Sequence, residues 1–205
     1  MYATNLRNKA WFRVAGLCGV ITPIVAFTCI LLAINYSPQF SWTENALSDL
    51  GVQEGLTAPL FNYGLIISGS VSLVFASGIL ALLHMKPVGE VGSFIFILAT
   101  LALIAIGVFP ENARPMHYYA SVSFFVLIPI AMLILMWAFA QVGKVKTALY
   151  TLLVAIVAAV PWVIQLSVHY VSDVAIPETI SALSASAWAI MLGLLMLRQA
   201  SKTDN

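Results

Sequence analysis

From Val14 to Ile34 the chain carries no charged side chain. An α-helix rises about 1.5 Å per residue. A run of this length therefore crosses the roughly 30 Å of hydrocarbon in a bilayer. Five comparable runs follow, so that the spans fall at about 12–35, 58–84, 90–109, 116–140, 147–170 and 178–198. Repetition of that one length sets the class: an all-α integral membrane protein, with residues 1–205 forming one six-transmembrane-helix bundle. Composition agrees, since only 8% of the residues are charged, against about 25% in a soluble domain. A net charge of +1 supplies no broad basic surface and excludes a nucleic-acid partner. Arg7, Lys9 and Arg13 precede the first run, which exceeds a signal peptide's hydrophobic region. It is expected to be a retained first helix.

An even number of spans places both ends of the bundle's chain on one side. That side holds Arg7, Lys9, Arg13, Lys86, Lys144, Lys146, Arg198 and Lys202, and the other holds Arg114. By the positive-inside rule both termini are expected to be cytoplasmic and the protein a multi-pass cell-membrane protein. Six of the eight acids, Glu44, Asp49, Glu54, Glu111, Asp173 and Glu178, lie on the opposite, outer side. The connections are short except for the outer loop 36–57. Gly64, Ser68, Gly69, Ser72 and Gly78, with Ser181, Ser184, Ala185, Ala189 and Gly193, have the spacing that lets helices approach closely in lipid. The serines are read as packing residues, because none sits beside a histidine in sequence and no Gly-x-Ser-x-Gly elbow occurs. Pro23, Pro129 and Pro161 lie within spans and are expected to kink them or open cavities. Cys18 and Cys29 are too far apart along one helix to pair.

The outer loop contains SWTENALSDLG, residues 41–51. Ser41 and Glu44 fit a capping box, and Gly51 fits the position after a helix ends. A short interfacial helix is therefore expected, with Trp42, Leu47 and Leu50 in the membrane interface. In that helix Asp49 would occupy the last turn, where an acid opposes the dipole. With no structural reason to be there, Asp49 becomes a candidate site residue, oriented by Asn45 four residues earlier.

Polar groups near the outer helix ends form the rest of the candidate site. Asn62 lies about one turn inside the second span. His117 opens the fourth and His169 closes the fifth, with Gln165 one turn deeper. Asp173 would continue the Gln165–His169 face if that helix ran one turn further. The two histidines stand at helix ends of opposite dipole sign, which suits a division of base and acid roles. Arg114 is placed to pair with Glu111 or Asp49, or to grip a phosphate or carboxylate. Glu178 follows Pro177 in a helix-start pattern that also explains it as a cap.

Asn45 with LSDLG (Leu47 to Gly51), the Phe109-Pro110 pair followed by His117, and the six-span layout resemble the family of archaeal and bacterial membrane proteins called domain of unknown function 998. The resemblance spans nearly the whole chain and implies membership without an activity. The membrane hydrolases related to alkaline ceramidase differ, because they use a His-x-x-x-His pair in a late helix and a seventh span.

These residues point first to an outer-leaflet polar pocket for a small polar or lipid ligand. In an enzyme, Asp49, His117 and His169 would be catalytic, in a metal-assisted or acid–base lipid hydrolase. Asn45, Asn62, Glu111, Arg114, Gln165 and Glu178 would bind the ligand. A divalent metal would take His117, His169, Asp49 and Asp173, leaving one position for water. The outer acids could instead form the vestibule of a cation transporter or channel, although no acid or lysine lies at the middle of any span. His117 and His169 as axial ligands of a haem would make a b-type cytochrome. A non-catalytic lipid-binding or assembly factor is the fourth alternative.

Overall fold

The computed structural model describes residues 2–84 and 86–201, with side chains from Lys9 onward. Its helices are α1 (Tyr2–Asn35), α2 (Thr57–Leu83), α3 (Pro87–Val108), α4 (Met116–Gln141), α5 (Val145–Val168) and α6 (Ala175–Ser201). Each is long and apolar enough to cross a membrane. The described residues contain no strand. The Arg7 side chain, Lys202 and Asp204, which enter the charge asymmetry, lie outside the described part.

Helix ends and apolar ends differ where the chain turns polar. The α1 helix begins at Tyr2, well before the apolar run, because backbone hydrogen bonding does not require apolar side chains. The α5 helix stops at Val168 because His169 takes a left-handed φ of 48°, a common way to end a helix. Asp173 therefore does not extend the Gln165 face, contrary to expectation. It precedes α6, where its Oδ1 accepts the N–H of Val174 at 2.8 Å.

Each helix packs on its neighbours in sequence, and α6 returns to α1, closing a ring. Small residues mark the contacts, as their spacing predicted. A Cβ on Gly64 would lie 2.4 Å from that of Cys29, fixing the α1–α2 approach. At the closing seam, a Cβ on Gly193 would lie 2.6 Å from the Gly16 carbonyl oxygen. Backbone faces backbone there, so no larger residue fits. The α5 helix is tied in by Trp162, whose ring lies 4.8 Å from Phe125 of α4. Its indole N–H donates to Ser181 Oγ of α6 at 3.0 Å.

The short helix expected within residues 36–57 takes a different form. Residues 41–45 make a turn instead, with Asn45 Oδ1 accepting the Ser41 N–H at 2.9 Å. A six-residue 3-10 helix follows over Leu47–Val52. Asp49 thus stands in the first turn, and its Oδ2 accepts the Ala46 N–H at 3.1 Å and Asn45 Nδ2 at 2.8 Å. The supposed lack of a structural role for Asp49 is overturned, since it satisfies the start of this helix. Leu47 and Leu50 are buried against the long helices, while Trp42 is exposed beside Phe40. The short helix is a stopper seated in one end of the ring.

Candidate functional site

Beneath the stopper lies a cavity of about 110 Å³. A dry apolar cavity of about 150 Å³ accepts a benzene-sized molecule, so this space suits a slender apolar group. Its wall comes from α1, α2, α3, α4 and α6 together with Leu47 and Ser48, and α5 contributes nothing. Pro23 faces it, consistent with an in-span proline opening local space. From Glu178 to Ala189 it follows α6 for eleven residues, roughly 16 Å. That is about half the hydrocarbon thickness of a bilayer. Phe96 lines the deep part and packs edge-on against Trp188 and Phe75 at 5.2 and 5.9 Å. Trp188 is held in turn by Thr151 Oγ1, 3.0 Å from its indole nitrogen.

The wall is mostly Phe, Leu, Ile and Ala, interrupted by a few hydroxyls and one carboxylate, Glu178. Glu178 is only 6% exposed. It stands in the first turn of α6, as the helix-start pattern predicted, and its Oε2 also accepts the Leu47 N–H at 2.6 Å. Among the described residues no Lys or Arg pairs with it. The nearby charges that act on it, Asp173, Glu111 and Asp49, have its own sign. Such a group is retained in an apolar wall at a cost, which directs attention to what it can hold.

Other tethers hold the stopper. Ser48 Oγ donates to Glu111 Oε2 at 3.1 Å. Arg114 Nη2 donates to Glu111 Oε1 at 3.2 Å, with its side chain 75% exposed. Asn62 Nδ2 donates to the Gly51 carbonyl at 2.8 Å. Three expected binding residues, Asn62, Glu111 and Glu178, thus converge on one short helix, Arg114 reaches it only through Glu111, and Glu178 alone reaches the cavity wall. Asn45 braces Asp49 as expected, but neither lines the cavity.

The remaining candidates separate. Gln165 is buried and its amide clasps the α5–α6 link, donating to the Val171 carbonyl at 2.9 Å and accepting the Val171 N–H at 3.3 Å. His169 is exposed at the end of α5. His117 is buried, with Nδ1 2.8 Å from the Phe109 carbonyl oxygen and Nε2 3.2 Å from Ser121 Oγ. Neither histidine lines the cavity, so this cavity is not framed by two axial ligands. Among the described residues no three His, Cys, Asp or Glu side chains gather as ligands of one ion would. The set His117, His169, Asp49 and Asp173 does not assemble. Ser121, which does line the cavity, was not singled out from the sequence. Its signal was the four-residue spacing from His117, which places both on one helix face.

A family model described as "Protein of unknown function (DUF998)" matches residues 20–195. The chain belongs to this family. The match covers all six helices in whole or in part, the stopper and every residue of the cavity wall. Comparison with curated proteins and with solved structures finds no match.

Proposed function

We propose that this membrane-spanning protein binds an amphiphilic lipid-class molecule inside the helix ring. The apolar part of the ligand lies between the helices, and a hydroxyl or amine head donates to Glu178. One observation carries this reading: a single buried carboxylate in a mostly apolar wall that runs about half the depth of a bilayer. Ligand sites commonly combine an apolar lining with a few placed polar groups. A carboxylate that already accepts one N–H can accept further donors. The stopper end faces outward in this reading, on the side opposite most Lys and Arg residues. The ligand is then drawn from the outer leaflet of the cell membrane.

A fluorescent long-chain primary amine, titrated against the purified protein in detergent, tests the reading. Ala185→Phe should fill the cavity and weaken binding at least tenfold. Glu178→Gln should weaken the amine tenfold or more while leaving a long-chain hydrocarbon probe of equal length unaffected. Unchanged affinity of the amine for Ala185→Phe would refute occupancy of the cavity.

A further inference from the structure

Many serine hydroxyls in this bundle fold back onto their own helix, although Ser181 donates across to the Ala158 carbonyl of α5. Ser68, Ser70, Ser93, Ser167 and Ser184 each donate to the carbonyl one turn earlier. Ser121 instead meets the ring of His117 at 3.2 Å. The other ring nitrogen, Nδ1, lies 2.8 Å from the Phe109 carbonyl oxygen. A carbonyl can only accept, so Nδ1 carries the proton of that bond. In the neutral ring Nε2 is then the acceptor, and the Ser121 hydroxyl donates to it. Phe109 is the residue at which α3 ends, so its carbonyl has no partner in a following helical turn. The end of one helix thus orients a histidine in the first turn of the next.

We infer that Ser121 is a nucleophile for acyl transfer, with His117 as its base and the Phe109 carbonyl as the group that orients the base. This order of nucleophile, base and orienting acceptor is what activates a serine. Placement agrees with that role. Ser121 faces the cavity, whereas His117 is buried behind it. Ser121 and Glu178 lie within two turns of the same end of the bundle, on α4 and α6. The substrate class follows: an acyl ester whose chain enters the cavity and whose alcohol part keeps a free hydroxyl or amine for Glu178. The inference rests on the cavity holding that chain.

In the first step Ser121 Oγ attacks the ester carbonyl carbon, and its proton passes to His117 Nε2. The bond from that carbon to the alcohol oxygen then breaks, and the imidazolium returns the proton to the leaving oxygen. The products are acyl-Ser121 and a free alcohol. Water, losing a proton to Nε2, attacks the acyl carbon. The Ser121 oxygen leaves and recovers that proton, releasing the carboxylic acid. No electrons are gained or lost overall.

A dodecyl fluorophosphonate applied to the purified protein tests the first step, read by intact mass and peptide mapping. One adduct at Ser121 is expected, with none in Ser121→Ala. In His117→Ala the labelling rate should fall by about 100-fold or more, the lower range for loss of a general base. If His117→Ala does not fold, the thiol introduced by Ser121→Cys supplies the second measurement. A long-chain iodoacetamide should alkylate it faster than Cys18 or Cys29. An unmodified Ser121 in protein that binds the fluorescent amine would overturn the inference. So would labelling of His117→Ala at the wild-type rate, or a Ser121→Cys thiol no faster than the native cysteines. His117-dependent labelling without amine binding would instead uphold the dyad and refute the donor-head reading of Glu178.

Discussion

Replacing Glu178 by alanine takes away the acceptor of the Leu47 N–H, a bond of 2.6 Å between groups 131 residues apart. Leaving a buried N–H without its acceptor costs about 1–3 kcal/mol. Leu47 and Leu50 remain buried with nothing else offered to that N–H. The stopper should therefore open more often, without loss of the long helices. Each 1.36 kcal/mol is a factor of ten, so amide exchange within Leu47–Val52 should quicken about 5- to 150-fold. Glu178→Gln keeps an oxygen acceptor of nearly the same shape, so the bond to Leu47 is retained. Its exchange should stay within about fivefold of the parent. Hydrogen–deuterium exchange by mass spectrometry resolves the segment, with the centre of α2 around Phe75 as the internal control. Equal protection in Glu178→Ala and the parent would refute the claim that Glu178 holds the stopper. A uniform rise through α2 would mean that the whole bundle had loosened instead.

Gly193→Ala places a Cβ against the Gly16 carbonyl oxygen and should destabilise the bundle by about 1–3 kcal/mol, as overpacking does. Unfolding in a denaturing detergent titration measures it, and a loss below about 0.5 kcal/mol would mean that α1 and α6 can part freely. His169 is exposed with a left-handed φ of 48°, a conformation that costs a side chain about 1–2 kcal/mol. His169→Gly should therefore hold or raise stability in the same titration and leave amine binding intact. Loss of binding would return the imidazole to the list of site residues.

The six spans were legible because bilayer thickness sets a length that few other folds share. The glycine contacts were legible too, since Gly64, Gly69, Gly78 and Gly193 stand where helix axes must approach. The stopper was only half legible. Ser41 and Glu44 match a helix start, yet Asn45 accepts the Ser41 N–H and Asp49 accepts that of Ala46, which moves the start downstream. Two local patterns competed, and sequence spacing does not rank them. Glu178 stands in the first turn of α6, as Pro177 before it suggested, but its hydrogen-bond partner in a distant loop was not legible. The cavity depends on five helices and the stopper closing around one space, which no single segment encodes. The spacing of His117 and Ser121 was visible, but the orienting carbonyl of Phe109 came only with the fold.

The Gly16–Gly193 seam joins the first and last helices, and that has a consequence for biogenesis. Helices leave the ribosome in order, so α1 to α5 insert before their final neighbour exists. Until α6 arrives the arc is open sideways, and the space it half encloses is filled by the surrounding bilayer. Closing the seam walls off that space together with whatever chain occupies it. On the lipid-binding proposal, the first occupant of each newly made molecule would be acquired during assembly and exchanged afterwards past the stopper or through the seam.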